Sequence, residues 1–199
     1  ISEETMKRFN ILYDIKENKV IIPHYNEKGE LVGIRGRALN QESVEAGIKY
    51  MPVEIEGQLL NHPLGYNLYG LNLVKENIKK LGIALVAEGE KSVLQYETMF
   101  GKENNICVAA CGSSFHTYQF ELLVAAGART ILICFDKEGD TWKEQQVYYD
   151  KLKKICLKYK NRCQMGFLWD TKNLLDLKDS PFDKGKETFK NLYKGAIYV

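Results

Sequence analysis

Ile83-Ala84-Leu85-Val86-Ala87-Glu88-Gly89-Glu90-Lys91 decides the fold: five apolar residues closed by a carboxylate and a glycine. Thr130-Ile131-Leu132-Ile133-Cys134-Phe135-Asp136-Lys137-Glu138 has the same character. Apolar runs of this length, without polar alternation, are expected of strands buried on both faces, as in a parallel sheet. Residues 106–110 and 165–169 offer two more such strands. Between them, helical periodicity is expected over residues 91–100, 117–126, Trp142–Tyr159 and 184–193. Short buried strands alternating with amphipathic helices predict a mostly parallel α/β sheet with helices on both faces.

The preceding third reads differently. Lys19-Val20-Ile21-Ile22-Pro23 and Leu31-Val32-Gly33-Ile34-Arg35-Gly36-Arg37 flank the turn signal Asn26-Glu27-Lys28-Gly29, which predicts a hairpin. Residues 41–68, with Pro52, Pro63 and Gly65, are expected to be irregular, and Leu71–Leu81 has a helix period. Two units are therefore expected: residues 1–80, a small α+β subdomain, and residues 81–199, the α/β domain.

Composition excludes several classes. Hydrophobic content of 45% and charged content of 27% are ordinary for a globular chain. The longest apolar runs are strand-sized, far below the length of a membrane span. No signal-peptide pattern opens the sequence, so a cytoplasmic protein is expected, and the start at Ile1 suggests a fragment of a longer chain. Five cysteines without a CxxC pair fit reduced thiols, not a disulfide framework or a zinc site. Lys+Arg against Asp+Glu runs 11 to 11 over residues 1–80, 4 to 8 over 81–140 and 13 to 7 over 141–199. An acidic middle beside a basic flank suits a cation site next to a polyanion.

The acids fall where such a sheet gathers ligands, at the carboxyl ends of its strands. Glu88 follows the first strand and Asp136 and Glu138 the third; Asp170 follows the fourth, with Asp176 and Asp179 beyond it. Acids after strands also serve as helix caps, and Asp140-Thr141 suits that role ahead of residue 142. Glu88, Asp136 and Glu138 together are harder to explain so, because clustered carboxylates repel unless a cation neutralises them. Oxygen ligands without histidine or cysteine favour magnesium or manganese. Gly89 is expected to turn the chain sharply away from Glu88. Gly112-Ser113-Ser114, after the second strand, offers backbone N–H groups to a phosphate. Arg35, Arg37 and Lys49 are candidates for phosphate contacts.

Val86-Ala87-Glu88-Gly89-Glu90-Lys91-Ser92, Gly112-Ser113-Ser114 and Phe135-Asp136-Lys137-Glu138-Gly139, in that order, resemble the TOPRIM motif set. That domain is shared by DnaG-type primases, type IA and II topoisomerases, and some nucleases and recombination proteins. The segments 21–39 and Asn67-Leu68-Tyr69-Gly70-Leu71-Asn72 look like those that precede TOPRIM in DnaG primases. Asp176 to Asp179, followed by Gly185-Lys186-Glu187-Thr188-Phe189, is similar to the end of that family's TOPRIM region. The resemblance spans residues 10–195.

It implies a Rossmann-like TOPRIM fold and a catalytic core that makes short RNA primers on single-stranded DNA from ribonucleoside triphosphates. It also implies Glu88, Asp136 and Glu138 as catalytic and metal-binding acids, with Asp176 and Asp179 assisting a second Mg2+ or Mn2+. Arg35, Arg37 and Lys49 would contact template or nucleotide. A replicative helicase would be met through regions outside this chain, which would work as a monomer. The family usually carries aspartate at the position of Ser92, a base near Leu64, and Asp-x-Asp both where this chain has Asp136-Lys137-Glu138 and at its last acid pair, here Asp176-x-x-Asp179. The departures describe a divergent member of the kind carried by phages and mobile elements. They keep open a second reading, a catalytically weak or inactive TOPRIM module that binds nucleic acid. A nuclease or topoisomerase is a third, against which the primase-like flank and the lack of a catalytic-tyrosine domain argue.

Overall fold

In the computed structural model, which describes residues 1–40 and 50–199, the apolar runs form the expected strands. The first half of the chain builds an antiparallel meander in sequence order: β1 (Leu12–Asp14), β2 (Lys19–Tyr25), β3 (Leu31–Ala38), β4 (Tyr50–Ile55) and β5 (Gln58–Leu60). The turn between β2 and β3 is held by Asn26, whose Oδ1 accepts from the N–H groups of Lys28 and Glu30, both at 3.0 Å. Gly29 supplies the left-handed conformation there, at φ +87°. A short helix, α1 (Glu3–Arg8), precedes the sheet and is capped by the Ser2 hydroxyl on the Thr5 N–H.

β4 and β5 correct the expectation that residues 41–68 are irregular. Pro52 reads as a breaker, yet it sits opposite Arg35 in the β3–β4 pairing and the strand continues through it. Gly57, at φ +78°, makes the following turn. Residues 41–49 lie outside the described residues, and the expectation for Lys49 falls there.

After α2 (Leu71–Leu81), the second sheet has the order β10-β9-β8-β6-β7. β6 (Ile83–Ala87), β7 (Cys107–Ala109), β8 (Thr130–Cys134) and β9 (Gln164–Phe167) are parallel, and β10 (Ile197–Tyr198) closes antiparallel on β9. Ala84 to Ala87 and Ile131 to Cys134 are wholly inaccessible, as strands covered on both faces must be. The crossover helices are α3 (Glu90–Phe100), α4 (Thr117–Ala125) and α5 (Trp142–Tyr159), with α6 (Lys186–Lys194) leading into β10. Right-handed crossovers in this order put α3 on one face and α4 and α5 on the other. Aromatic contacts agree: Phe120 of α4 stacks on Tyr159 of α5 at 4.2 Å, and Tyr96 of α3 meets Phe189 of α6 at 5.4 Å.

The two sheets are stitched together along β7. Tyr69 exchanges backbone hydrogen bonds of 3.0 and 3.1 Å with Ala109. The fully buried Gln119 amide donates to the carbonyls of Leu64, Asn67 and Ala110. α2 packs on β6 and β7, so this helix of the first eighty residues covers the parallel sheet.

The loop between β9 and α6 is anchored by Phe182, which is buried and stacks on Phe189 at 5.1 Å. Phe182→Ala is expected to cost about 3–5 kcal/mol, the usual range for emptying a buried aromatic site. The measurement is the urea midpoint of unfolding at an unchanged m-value.

Candidate active site

Because β6, β7 and β8 are parallel, Glu88, Gly112 and Asp136 all emerge at one edge of the sheet. They line a cleft of about 260 Å³, with Gly89, Glu90, Lys91, Ser92, Lys178, Ser180 and Asp183 on the same side. The opposite wall comes from the meander: Arg35, Arg37 and Tyr50. One wall is therefore rich in carboxylates and the other in guanidinium groups.

Glu88 and Asp136 are only partly exposed, and each has one oxygen, Oε2 and Oδ1 respectively, that is buried without a hydrogen-bond partner among the described residues. Burial pushes the Glu88 carboxyl up, helped by Glu138, while Lys151, the Asp136 N–H and Lys178 pull the other way. Asp136 is pushed from 3.8 to about 7, by burial first and then by the charges of Glu88 and Asp183. Two half-buried carboxylates with unpartnered oxygens form a donor set that fits a hard divalent cation such as Mg2+ or Mn2+. Tyr148 braces the position from α5 by donating to the Asp136 carbonyl at 2.7 Å.

Glu138 lies beside rather than inside the cleft. It is close enough to raise Glu88, but it is ion-paired with Lys178 and lines the groove along α5 with Asp140, Lys143 and Lys151. Lys178 is held there by backbone pairing of its loop with the end of β8: its N–H donates to the Lys137 carbonyl, and the Lys137 N–H donates to that of Asp179, both at 2.8 Å. Asp176 is exposed and paired with Lys184 at 2.5 Å. The Asp179 carboxylate accepts from the Asp176 N–H at 2.9 Å and lies 3.2 Å from the Lys184 ammonium. Neither of these two acids lines the cleft.

Asp183 does line it, and sequence reasoning missed it. Burial pushes its carboxyl up, but hydrogen bonds from Lys91 at 2.5 Å, Gln95 at 2.9 Å and the Ser180 N–H at 2.9 Å hold it below the usual range. Nothing local distinguishes Asp183 from an acid ahead of a helix; the packing of Phe182 sets its position. Ser92, where the resemblance expects an acid, is buried and shares a 2.8 Å hydrogen bond with Ser180.

Gly112 lines the cleft and its N–H donates to the Glu88 carbonyl at 3.0 Å, whereas Ser113 and Ser114 lie outside it. Gly89 is extended, at φ −125°, and a Cβ there would meet nothing within 4 Å. The chain does bend at residues 88–89 between β6 and α3, as expected, but the conformation there does not require glycine. The left-handed residue in this region is Cys111, at φ +60°. Asp170 serves the fold: it accepts from the Leu174 and Leu175 N–H groups and pairs with Lys137. The helix cap expected of Asp140-Thr141 is made by Thr141, in a capping box with Glu144.

Behind the acid wall sits a buried charge cluster the sequence did not announce. Glu90 Oε1 is 2.7 Å from Arg35 Nη1 and 3.2 Å from His24 Nε2, and the Glu90 and His24 side chains are 1% exposed. Burial raises the Glu90 carboxyl, yet His24 and Arg35 together bring it below its ordinary value. Cys111 Sγ joins His24 and Glu90 within 4.8 Å, a set of donors suited to a transition metal, but the Arg35 guanidinium already neutralises that carboxylate. Burial pushes the Cys111 thiol well up.

No family model matches the chain. A prophage-derived uncharacterized protein of Bacillus subtilis, YorJ, is 36% identical over 210 residues, which cover 100% of this chain and 55% of that one. The DNA primase of Buchnera aphidicola is 31% identical over 125 residues, 62% of this chain and 20% of that protein. The chain thus spans about half the length of the first relative and a fifth of the second. Among solved structures, the zinc-binding and RNA polymerase domains of the Aquifex aeolicus primase superpose with a TM-score of 0.71 at 18% identity, covering 100% of this chain and 54% of that one. A DnaG primase catalytic domain bound to single-stranded DNA gives 0.64 at 20% identity, over 98% and 65%. The chain has the fold of the DnaG-type primase catalytic core, in a divergent sequence. Among the described residues, no helix is long and apolar enough to cross a membrane.

The raised Asp136 carboxyl makes a stability prediction whose sign is fixed. Its contribution in the metal-free protein is complete below pH 3.8 and is lost as the pH rises through about 7. At pH 8, Asp136→Asn should raise the Tm of the EDTA-treated protein by about 2–4 °C, the shift that roughly 1 kcal/mol gives a chain of this size. The same variant should lose the rise that manganese gives the wild type. Differential scanning fluorimetry reads both, and a wild type indifferent to millimolar manganese would count against the acid site.

Proposed function

We propose that this chain is the nucleotidyl-transfer core of a divergent primase, joining ribonucleotides on a single-stranded DNA template. The observation that carries the reading is the cleft itself, which Glu88 and Asp136, each with an oxygen unpartnered among the described residues, line together with Arg35 and Arg37. An incoming nucleotide is a triphosphate: a 3′ hydroxyl oxygen, giving up its proton, bonds to the α-phosphorus as the bond from α-phosphorus to the oxygen bridging it to β-phosphorus breaks, and pyrophosphate leaves with that oxygen. The basic wall suits the β- and γ-phosphates, which guanidinium forks bind in two-pronged fashion. The acid wall suits the cation that accompanies them. Glu88 and Asp136 would hold that cation, with Asp183 in reach of the same cleft and Glu138 and Lys178 at its mouth. When bound, the ion supplies charge stabilisation to the transferring phosphoryl group and lowers the pKa of an attacking hydroxyl.

Arg35 and Arg37 are themselves preorganised, each over the Tyr50 ring, at 5.2 and 5.6 Å. Rigid donors lower the cost of ordering at binding. The groove along α5 shares Lys178 with the cleft and carries Lys143 and Lys151 beside Glu138, Asp140 and Glu144. Its two lysines outside the Glu138 pair are the candidates for template phosphates. Lys49 is a further candidate for phosphate contact, whereas the Gly112 N–H is already taken by the Glu88 carbonyl. Asp176 and Asp179 would act through Lys184 and the loop that carries Lys178. The engagement of Ser92 with Ser180, where an acid is expected, favours the second reading of a module that binds nucleic acid but polymerises weakly.

A priming assay tests the proposal: single-stranded template, labelled ribonucleotides, Mg2+ or Mn2+, and the full chain. Asp136→Ala should reduce product by about a hundredfold or more, the scale expected when about 3 kcal/mol of transition-state stabilisation is lost. Product that is indifferent to the substitution would refute the acid assignment. No product with either metal, with DNA binding intact, would favour the binding module.

A further inference from the structure

We infer that Glu90 is a positioning residue: it fixes Arg35 so that the remaining guanidinium N–H groups point to the triphosphate of a nucleotide in the cleft. The inference rests on the reading of that cleft as a triphosphate site and adds a residue with no part in cation binding.

Arg35 comes from β3, His24 from the adjacent β2 and Glu90 from the first turn of α3, so the hairpin and a helix more than fifty residues on converge on one carboxylate. Glu90 Oε1 takes both contacts, from Arg35 Nη1 at 2.7 Å and from His24 Nε2 at 3.2 Å. A guanidinium carries five N–H donors in a rigid fork. Arg35 spends one on Glu90 and also bonds the Cys111 thiol, which fixes the plane of the fork; the rest of the fork is what the cleft offers to phosphate oxygens. Tyr50 supports the fork from below, with the Arg35 guanidinium 5.2 Å from the ring centroid. The Arg35 side chain keeps 15% of its surface exposed, against 1% for Glu90: the clamp is buried and the fork reaches the cleft. Glu90 is also two residues from Glu88 on the same chain, so one short segment sets both the cation-facing carboxylate and the phosphate-facing guanidinium. Their separation is then fixed by backbone geometry, which a metal-bound triphosphate requires.

His24 keeps Glu90 from rotating away. It is itself packed between His62 and Tyr69, each at a ring distance of 5.0 Å. The clamp therefore belongs to the seam between the two sheets.

The test measures binding apart from turnover. A fluorescent ribonucleoside triphosphate is titrated with Mg2+ into the wild type, Glu90→Gln, Glu90→Ala, Arg35→Ala and the double variant Glu90→Ala/Arg35→Ala. Glu90→Ala should weaken affinity about tenfold, which corresponds to 1.4 kcal/mol. Glu90→Gln, which keeps an oxygen for Arg35, should recover part of it. In the priming assay the effect should fall on the KM for nucleotide more than on kcat. The double variant should bind no worse than Arg35→Ala alone, because Glu90 acts only through Arg35. Effects that multiply instead would overturn the inference. Unchanged affinity in both Glu90 variants, with Arg35→Ala weakened, would overturn it while leaving the triphosphate site standing. If Arg35→Ala and Asp136→Ala also bind as the wild type does, the triphosphate reading falls and the inference with it. Should Glu90→Ala fail to fold, the comparison of Glu90→Gln with Arg35→Ala decides alone.

Discussion

The amide of Gln119 lies at a point where three carbonyls from separate stretches of chain converge in the interior. Its nitrogen serves Leu64, Asn67 and Ala110, and its oxygen accepts from the N–H of His116 at 3.0 Å. A buried carbonyl without a donor costs on the order of 1–3 kcal/mol, so the distance between the meander and the parallel sheet is set by several such demands met at once. The cleft exists only because that distance is held. Bring the sheets closer and the guanidinium groups would pair with Glu88 and Asp136; move them apart and neither wall would reach a common ligand.

Within that frame the charges are arranged to stop short of mutual neutralisation. Glu90 takes Arg35, Lys91 takes Asp183, and Lys178 takes Glu138, while Glu88 and Asp136 each keep an oxygen unpartnered among the described residues. Folding tolerates this because the uncompensated acids sit at strand ends with some access to water, where the interaction between charges is far weaker than in a dry interior. The cost is confined to the place where a ligand can return it.

How much of this was legible in the sequence depended on range. The parallel strands were readable because burial on both faces leaves an unbroken apolar run, and Leu71–Leu81 and Trp142–Tyr159 because a 3.6-residue period survives over many turns. β4 and β5 were not, since Pro52 and Gly57 carry turn signals that tertiary pairing overrides. Glu88 and Asp136 could be found from position alone, being fixed by their own strands. Asp183 could not, because its location depends on where Phe182 packs against residues of two helices. The pairing of Glu90 with Arg35, 55 residues apart, leaves no mark in either local segment.

The parallel sheet ends in two different ways, at β7 and at β10. On one side Tyr69 occupies the backbone groups of Ala109, and on the other the last strand is only two residues long. Exposed strand edges are where polypeptides template one another into fibrils, and short or occupied edges remove the template. Among the described residues, neither flank of this apolar sheet gives a neighbouring molecule a long row of free amides to copy.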